Sequence, residues 1–304
     1  MMRMNPLSQA HKTPRSGGQL LLLLLILLSV SLSAGCRKGP RAAQPPAPSN
    51  ENARSEKNIA EPIDKGDLKL SYKPRKETTT RHNVGGNQQA LEQVIANLNE
   101  RIALPWDIVV SFEDCDTPDA FYAAETRQLT VCYQLIDEYY VLFAKKIKDK
   151  TKLDDAVTAA TAATFFHELG HGLVDAWKVP ITGREEDAVD QLSTLVLIEA
   201  TEGGEQMALD GALAFKLYAD LASGEKKIYW DEHSLDEQRF FDTICLVYGH
   251  DDEKFAYLVD NGTLPEERAS LCRQDYNRVK GAWQQLLGPY LKPAQSRPKL
   301  KLRS

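Results

Sequence analysis

The chain lacks several features, and each absence removes a class of protein. It has no pair of cysteines at C-x-x-C spacing, so a thiolate zinc site is not expected. It has no internal repeat, which excludes a solenoid or propeller. Its body carries no basic stripe. The 304 residues hold 37 Lys and Arg against 43 Asp and Glu, a net charge of −6. The first 35 residues contribute Arg3, Lys12 and Arg15 and no acid, so the remainder is more acidic still. Phosphate backbones select for clustered cations, so no nucleic-acid partner is expected. Hydrophobic residues make up 42% and charged residues 26%, which excludes a mostly disordered, a collagen-like or a polytopic membrane chain. What remains is room for one large globular domain or two small ones.

Only one strongly apolar run stands out. Residues 20–30 are nearly all Leu, broken by Ile26, Ser29 and Val30, with basic residues before and small residues after. That order is the n-, h- and c-region of a secretory signal, and the run is short for a membrane span. Leu32-Ser33-Ala34-Gly35-Cys36 resembles a bacterial lipobox, in which the Cys is lipidated and becomes the mature N-terminus. Ser33 departs from the usual Leu at that position, while Ala34-Gly35 fits. The expectation is a signal peptide over 1–35, lipidation at Cys36 and a body attached to a membrane of the bacterial cell envelope. Residues 36–65 are rich in Pro, Ala, Ser, Asn and charge and read as a disordered tether. A domain over 66–294 and a disordered tail over 295–304 complete the organisation.

The body mixes element types and then turns helical. Residues 68–72 alternate as a short strand. Leu91, Val94, Ile95 and Leu98 have helical spacing, ending before Pro105. Residues 106–112 read as a strand, and 120–122 with 128–133 as a hairpin around Glu125-Thr126-Arg127. Helical signals run over 135–147. Thr151-x-x-Asp154 fits a capping box opening a helix to about Trp177, which Pro180 stops. Another helix starts near Glu185 and ends near Gly203-Gly204, and several shorter ones follow to Tyr290. The fold class is α+β: a small N-terminal sheet with an edge strand, packed on a long helix and followed by a mostly helical half.

Five cysteines suit an exported protein. With Cys36 lipidated, four remain and three pairings are possible. Cys115 and Cys132 end or lie in neighbouring predicted strands, and Cys245 and Cys272 share the helical half, which favours those two bridges.

The chemistry concentrates in Phe166-His167-Glu168-Leu169-Gly170-His171, an H-E-x-x-H pattern. At i and i+4, His167 and His171 share one helix face about one turn apart and can hold one metal ion. Glu168 points about 100° away from His167, towards a metal-bound water rather than the metal. Zn2+ lowers the pKa of such a water towards 7, and Glu168 can take its proton as general base. A third protein ligand is needed. The extended metzincin pattern would require His at 177 and Gly at 174, which are Trp177 and Val174, so that subclass is excluded. The nearest carboxylates are Glu185, Glu186, Asp187 and Asp190. Glu186 and Asp190 share a helix face, and Glu185 and Asp187 diverge from it. Two ligand sets stay open: His-His-Glu with Glu186, or His-His-Asp with Asp190.

His167 to His171 together with Gly183-Arg184-Glu185-Glu186-Asp187-Ala188-Val189-Asp190-Gln191 resembles a bacterial family of zinc metallopeptidases. Asp119-Ala120-Phe121-Tyr122, Cys132-Tyr133-Gln134, residues 231–235 with Gln238-Arg239, and residues 264–268 carry the likeness across 107–291. The family implies a metallopeptidase-like fold. By similarity to gluzincins, the E-x-x-x-D pair implies Glu186 as zinc ligand and Asp190 as the group orienting His167. The stretch at Asp119-Ala120 is similar to the gluzincin edge strand whose backbone pairs with an extended substrate. His233 and Arg239 are polar candidates for stabilising the oxyanion and protonating the leaving amine, with His233 preferred. The expected activity is zinc-dependent peptide-bond hydrolysis on a peptide or protein substrate by a lipid-anchored endopeptidase. The alternative is a catalytically idle zinc-binding envelope lipoprotein acting as scaffold or chaperone.

Overall fold

The computed structural model describes residues 62–75, 88–293 and 299–301. All of them belong to one unit, 57–304. The signal peptide, Cys36 and nearly all of the expected tether lie outside the described residues.

Four strands form one sheet. They are β1 (Leu68–Tyr72), β2 (Ile108–Glu113), β3 (Ala120–Ala123) and β4 (Gln128–Cys132). Their order is β1-β2-β4-β3, with β1, β2 and β4 parallel and β3 antiparallel to β4. Ile108, Val110 and Phe112 alternate into the core, while on the opposite face Val109 is exposed and Ser111 is buried. Arg127 closes the β3–β4 hairpin at φ 54°. Among the described residues β3 pairs only with β4, which leaves its outer edge open.

The helices are α1 (Gln88–Asn99), α2 (Tyr133–Ala144), α3 (Lys150–Trp177), α4 (Glu185–Ala200), α5 (Gly204–Leu221), α6 (Asp236–His250), the short α7 (Tyr257–Asp260) and α8 (Glu266–Leu287). Among the described residues none is long and apolar enough to cross a membrane. The α+β architecture expected from the sequence is present. Three details differ from expectation. The N-cap of α3 is Asp149, whose side chain accepts from the Lys152 amide at 2.9 Å, so Thr151 already lies inside the helix. Asp149 offers a shorter acceptor two positions earlier, and Asp154 pairs with Lys150 instead. The helices after α4 are not all short: α5 has 18 residues and α8 has 22. The expected tail is not wholly outside the fold. Leu300 is fully buried and its amide donates to the Ala200 carbonyl at 2.7 Å, because one apolar side chain among Lys and Arg is enough to seat the chain on the core.

α3 is the spine of the domain. It is Ala-rich, mostly buried, and packs against α2, α4, α5 and the sheet. Its apolar positions run almost all round, as expected of a helix surrounded by other elements. A Cβ at Gly170 would stand 2.9 Å from the Val189 side chain, so α3 and α4 approach closely at this point. Gly203 takes φ 63° and a Cβ at Gly204 would meet the Leu197 carbonyl oxygen at 1.6 Å; only glycines permit the α4–α5 turn. Cys115–Cys132 ties the loop before β3 to the end of β4, and Cys245–Cys272 ties α6 to α8.

Candidate metal centre and cleft

The register between α3 and α4 builds the site. Ser193 Oγ donates to the Ala163 carbonyl, His167 meets Asp190, and His171 meets Glu185, so rising numbers on α3 face falling numbers on α4. The two helices are antiparallel, and the H-E-x-x-H face looks onto the first turns of α4. The i, i+4 spacing puts His167 Nε2 and His171 Nε2 3.3 Å apart. Glu186 Oε2 lies 3.1 Å from the first and 3.4 Å from the second.

These three distances test whether a metal fits. Three ligand atoms at about 2.05 Å from a tetrahedral Zn2+ stand about 3.3 Å apart. The observed spacings are 3.1, 3.3 and 3.4 Å, so His167, His171 and Glu186 could hold such an ion with little movement. His167, Glu186 and His233 also bring ligand atoms within 4.8 Å of one another. His233 sits in the irregular stretch 222–235 with its side chain 41% exposed, and its Nε2 is 3.0 Å from Glu186 Oε2. The helical triad fits better, since all three of its spacings match and all three residues are fixed on packed helices.

A carboxylate holds the second nitrogen of each helical histidine. His167 Nδ1 donates to Asp190 Oδ1 and His171 Nδ1 to Glu185 Oε1, both at 2.7 Å. Such bonds fix ring orientation and leave Nε2 to face a metal. The structure thus puts Asp190 on the far nitrogen of His167 and Glu186 beside both Nε2 atoms. Glu185 corrects the sequence reading: its helical angle points it away from the Glu186 face, but its side chain is long enough to reach His171. Arg239 corrects it too. The guanidinium donates from Nε and Nη2 to Asp190 at 2.7 and 2.8 Å and lies 4.1 Å over the Phe215 ring. It supports the support of His167 rather than standing free for a substrate.

Charge and burial set the protonation. Burial lowers the pKa of His167, but Asp190 and Glu186 outweigh it and raise the value to about 9. Burial opposes ionisation of Glu186, and the three surrounding histidines hold it far below the usual carboxylate range. Asp190 falls to about 2, against its burial, because of Arg239 and His167. Glu168 behaves oppositely. Burial, with Glu186 and Asp119 nearby, pushes its pKa up to about 7 despite the two histidines. It approaches His167 Nε2 only to 4.0 Å and has no side-chain hydrogen bond among the described residues. A carboxyl poised near neutrality and held by no hydrogen bond among the described residues is suited to taking and returning a proton.

Asp119 and Ala120 border the same cleft, which also passes Glu168, His171 and His233. The Asp119 carbonyl accepts from Cys132 N, so Asp119 and Cys132 stand at a hydrogen-bonded position of the ladder, and the next pair, Ala120 with Val131, stands at a non-bonded one. The N–H and C=O of Ala120 therefore point to the open edge. The Asp119 carboxylate accepts from that N–H at 2.9 Å, an occupant that an incoming strand would displace.

Residues 72–287 match the model of the protein family described as "Putative metallopeptidase". The match spans most of the chain, and the protein belongs to that family. No curated protein and no solved structure matches it significantly.

Proposed function

We propose that the protein is a zinc-dependent endopeptidase of the bacterial envelope, anchored through a lipid on Cys36. The observation that carries the catalytic part is the set of three mutual spacings among His167, His171 and Glu186, with Glu168 beside them and bound by no side-chain hydrogen bond among the described residues. Zn2+ held by these three residues would supply a Lewis acid that polarises a carbonyl and makes water nucleophilic near neutral pH. The substrate backbone pairs with the outer edge of β3 at Ala120, which brings a peptide bond past Glu168. Glu168 takes the proton of the attacking water at its carboxylate and passes it to the departing amine. His233, whose pKa is raised by its bond to Glu186, donates to the oxygen on which charge develops. Asp190, Arg239 and Glu185 hold the histidines still. Burial of Glu168 keeps bulk water away from the proton transfer. Membrane attachment rests on the sequence alone, on the apolar run at 20–30 and the small residues before Cys36.

The test is zinc content of the purified chain together with hydrolysis of an unfolded protein, with and without chelator. We expect about one zinc per chain, activity lost on chelation and restored by zinc. Glu168→Gln keeps the zinc and loses hydrolysis, since an amide cannot accept the proton. Full zinc occupancy with no hydrolysis in the native chain would instead support the idle zinc-binding alternative.

A further inference from the structure

Behind the metal centre the helical half is hollow. A cavity of about 270 Å³ lies between α3, α4, α5 and α6. An apolar cavity of about 150 Å³ is enough to hold benzene, so this one admits a large side chain. It adjoins the substrate cleft. Asp119, Ala120, His167, Glu168 and His233 line both spaces. A polypeptide lying along β3 with a peptide bond at Glu168 has one neighbouring side chain facing this cavity.

The walls are shaped by small residues. Ala160 and Ala163 on α3 face Gly211, Ala212 and Ala214 on α5, and a Cβ at Gly211 would stand 3.1 Å from that of Ala163. The two helices touch at Gly211 and Ala163, so the room lies beside that contact, where the other alanine methyls of the lining leave space for an unbranched aliphatic stem. The aromatic side chains of Tyr139, Phe215 and Tyr218 add apolar surface.

The charge of the lining is unbalanced. Arg239 is consumed by Asp190 and Phe215, so it offers no free cation. Asp236, the first residue of α6, also lines the cavity and makes no hydrogen bond or ion pair among the described residues. Burial raises its pKa, which Arg239 offsets only in part, as for a carboxylate without a direct counter-ion. Its position in the first turn of α6 stabilises its charge but leaves its oxygens unoccupied. In the cleft leading in, Glu185 and Glu186 are engaged by the histidines and Lys178 by Asp175, which leaves Glu232 as the exposed charge on the approach. A half-buried carboxylate without a direct counter-ion attracts a cation.

We infer that this cavity binds a lysine or arginine side chain of the substrate, beside the bond that is cut, with Asp236 as its counter-ion. The peptidase reading underlies this inference, and the cavity adds the substrate class. The aliphatic stem lies along the alanines, and the cation meets Asp236 near the rings of Tyr218 and Phe215.

The test uses the zinc-loaded full chain. Digestion of an unfolded protein followed by mass spectrometry of the new termini should show lysine and arginine enriched at one position flanking the cut. For a peptide with lysine there and a matched one with norleucine, the ratio of kcat/KM values should favour lysine. Asp236→Asn should lower that ratio about 10- to 100-fold, the scale of a lost charge-assisted contact. Enrichment of large apolar residues, no enrichment, or a ratio unchanged in Asp236→Asn overturns the inference while leaving the peptidase reading intact. Absence of any hydrolysis is a failure of that reading instead. In that event, binding of the two peptides to the zinc-loaded Glu168→Gln chain still decides: equal affinity for lysine and norleucine peptides refutes the cavity's role.

Discussion

Replacing Asp190 should damage the fold more than its place beside a metal ligand suggests. Its carboxylate accepts from Arg239 through two nitrogens and from His167 through one, and Asp190 and Arg239 are only 18% and 16% exposed. Asp190→Ala strands the guanidinium without its acceptor. Removing one member of a buried ion pair costs about 3–5 kcal/mol, and the residual exposure here favours the lower end. The titration of Asp190 gives an independent scale. Its pKa falls from 3.8 to about 2, worth about 2 kcal/mol. The folded value lies below the unfolded one, so this stability is present above about pH 4 and is lost as the pH falls through 2. Thermal unfolding of the chelated protein at neutral pH should show Asp190→Ala lowered by about 6–12 °C for a loss near 3 kcal/mol. Asp190→Ala combined with Arg239→Met should recover part of that loss, because methionine can pack on Phe215 without a charge. The gap between wild type and Asp190→Ala should narrow between pH 4 and pH 2. An Asp190→Ala protein within 1 kcal/mol of wild type, or a double variant no better than the single, would refute the reasoning.

Other outcomes follow from the same geometry. Glu186→Ala should abolish tight zinc binding, whereas Glu185→Ala should weaken it by about 10–100-fold, the scale of a lost outer partner; equilibrium competition with a chromogenic chelator measures both. Gly170→Ala drives a methyl into Val189 at 2.9 Å and should cost about 1–3 kcal/mol, read by denaturant unfolding, with Val189→Ala in the same chain restoring part of it. Reducing the disulfides releases loops with sequence separations of 17 and 27 residues, and should cost about 3 and 3.5 kcal/mol on a chain-entropy basis, checked by unfolding each Cys→Ala pair. Cys36→Ser should abolish metabolic labelling with a lipid precursor, and equal labelling of wild type and variant removes the anchor.

Much of the site was legible because its signals are local. H-E-x-x-H needs only the helical period to place two histidines together, and E-x-x-x-D needs only the same period to put Glu186 and Asp190 on one face. The hairpin was legible from alternation around Glu125-Thr126-Arg127. What escaped depends on distance through space. Arg239 is 49 residues from Asp190, and nothing near it in the chain says that an ion pair will absorb it. Helical angle alone turns Glu185 away from the site, while a glutamate's reach decides that it meets His171. Leu300 is one apolar residue in a basic stretch, and only the groove beside Ala200 makes it part of the core. The small residues of α3 and α5 read as ordinary helix formers, although together they leave the cavity open.

The arrangement of carboxylates separates their tasks. Four acids crowd two histidines, and like charges at such distances must be compensated to remain ionised. Glu185 and Asp190 are compensated by the outer nitrogens of the histidines, Asp190 also by Arg239, and Glu186 by the nitrogens that converge on it. Each of these has a depressed pKa or a fixed partner and is unsuited to carrying protons. Glu168 is one residue along from His167, yet the 100° turn points it away from that network and against the cavity wall. Burial there raises its pKa to about 7 against the pull of the two histidines, and at that value a carboxyl can both accept and release a proton. The base is therefore defined by exclusion from the network that holds the ligands, and that exclusion is a consequence of its position in the helical repeat.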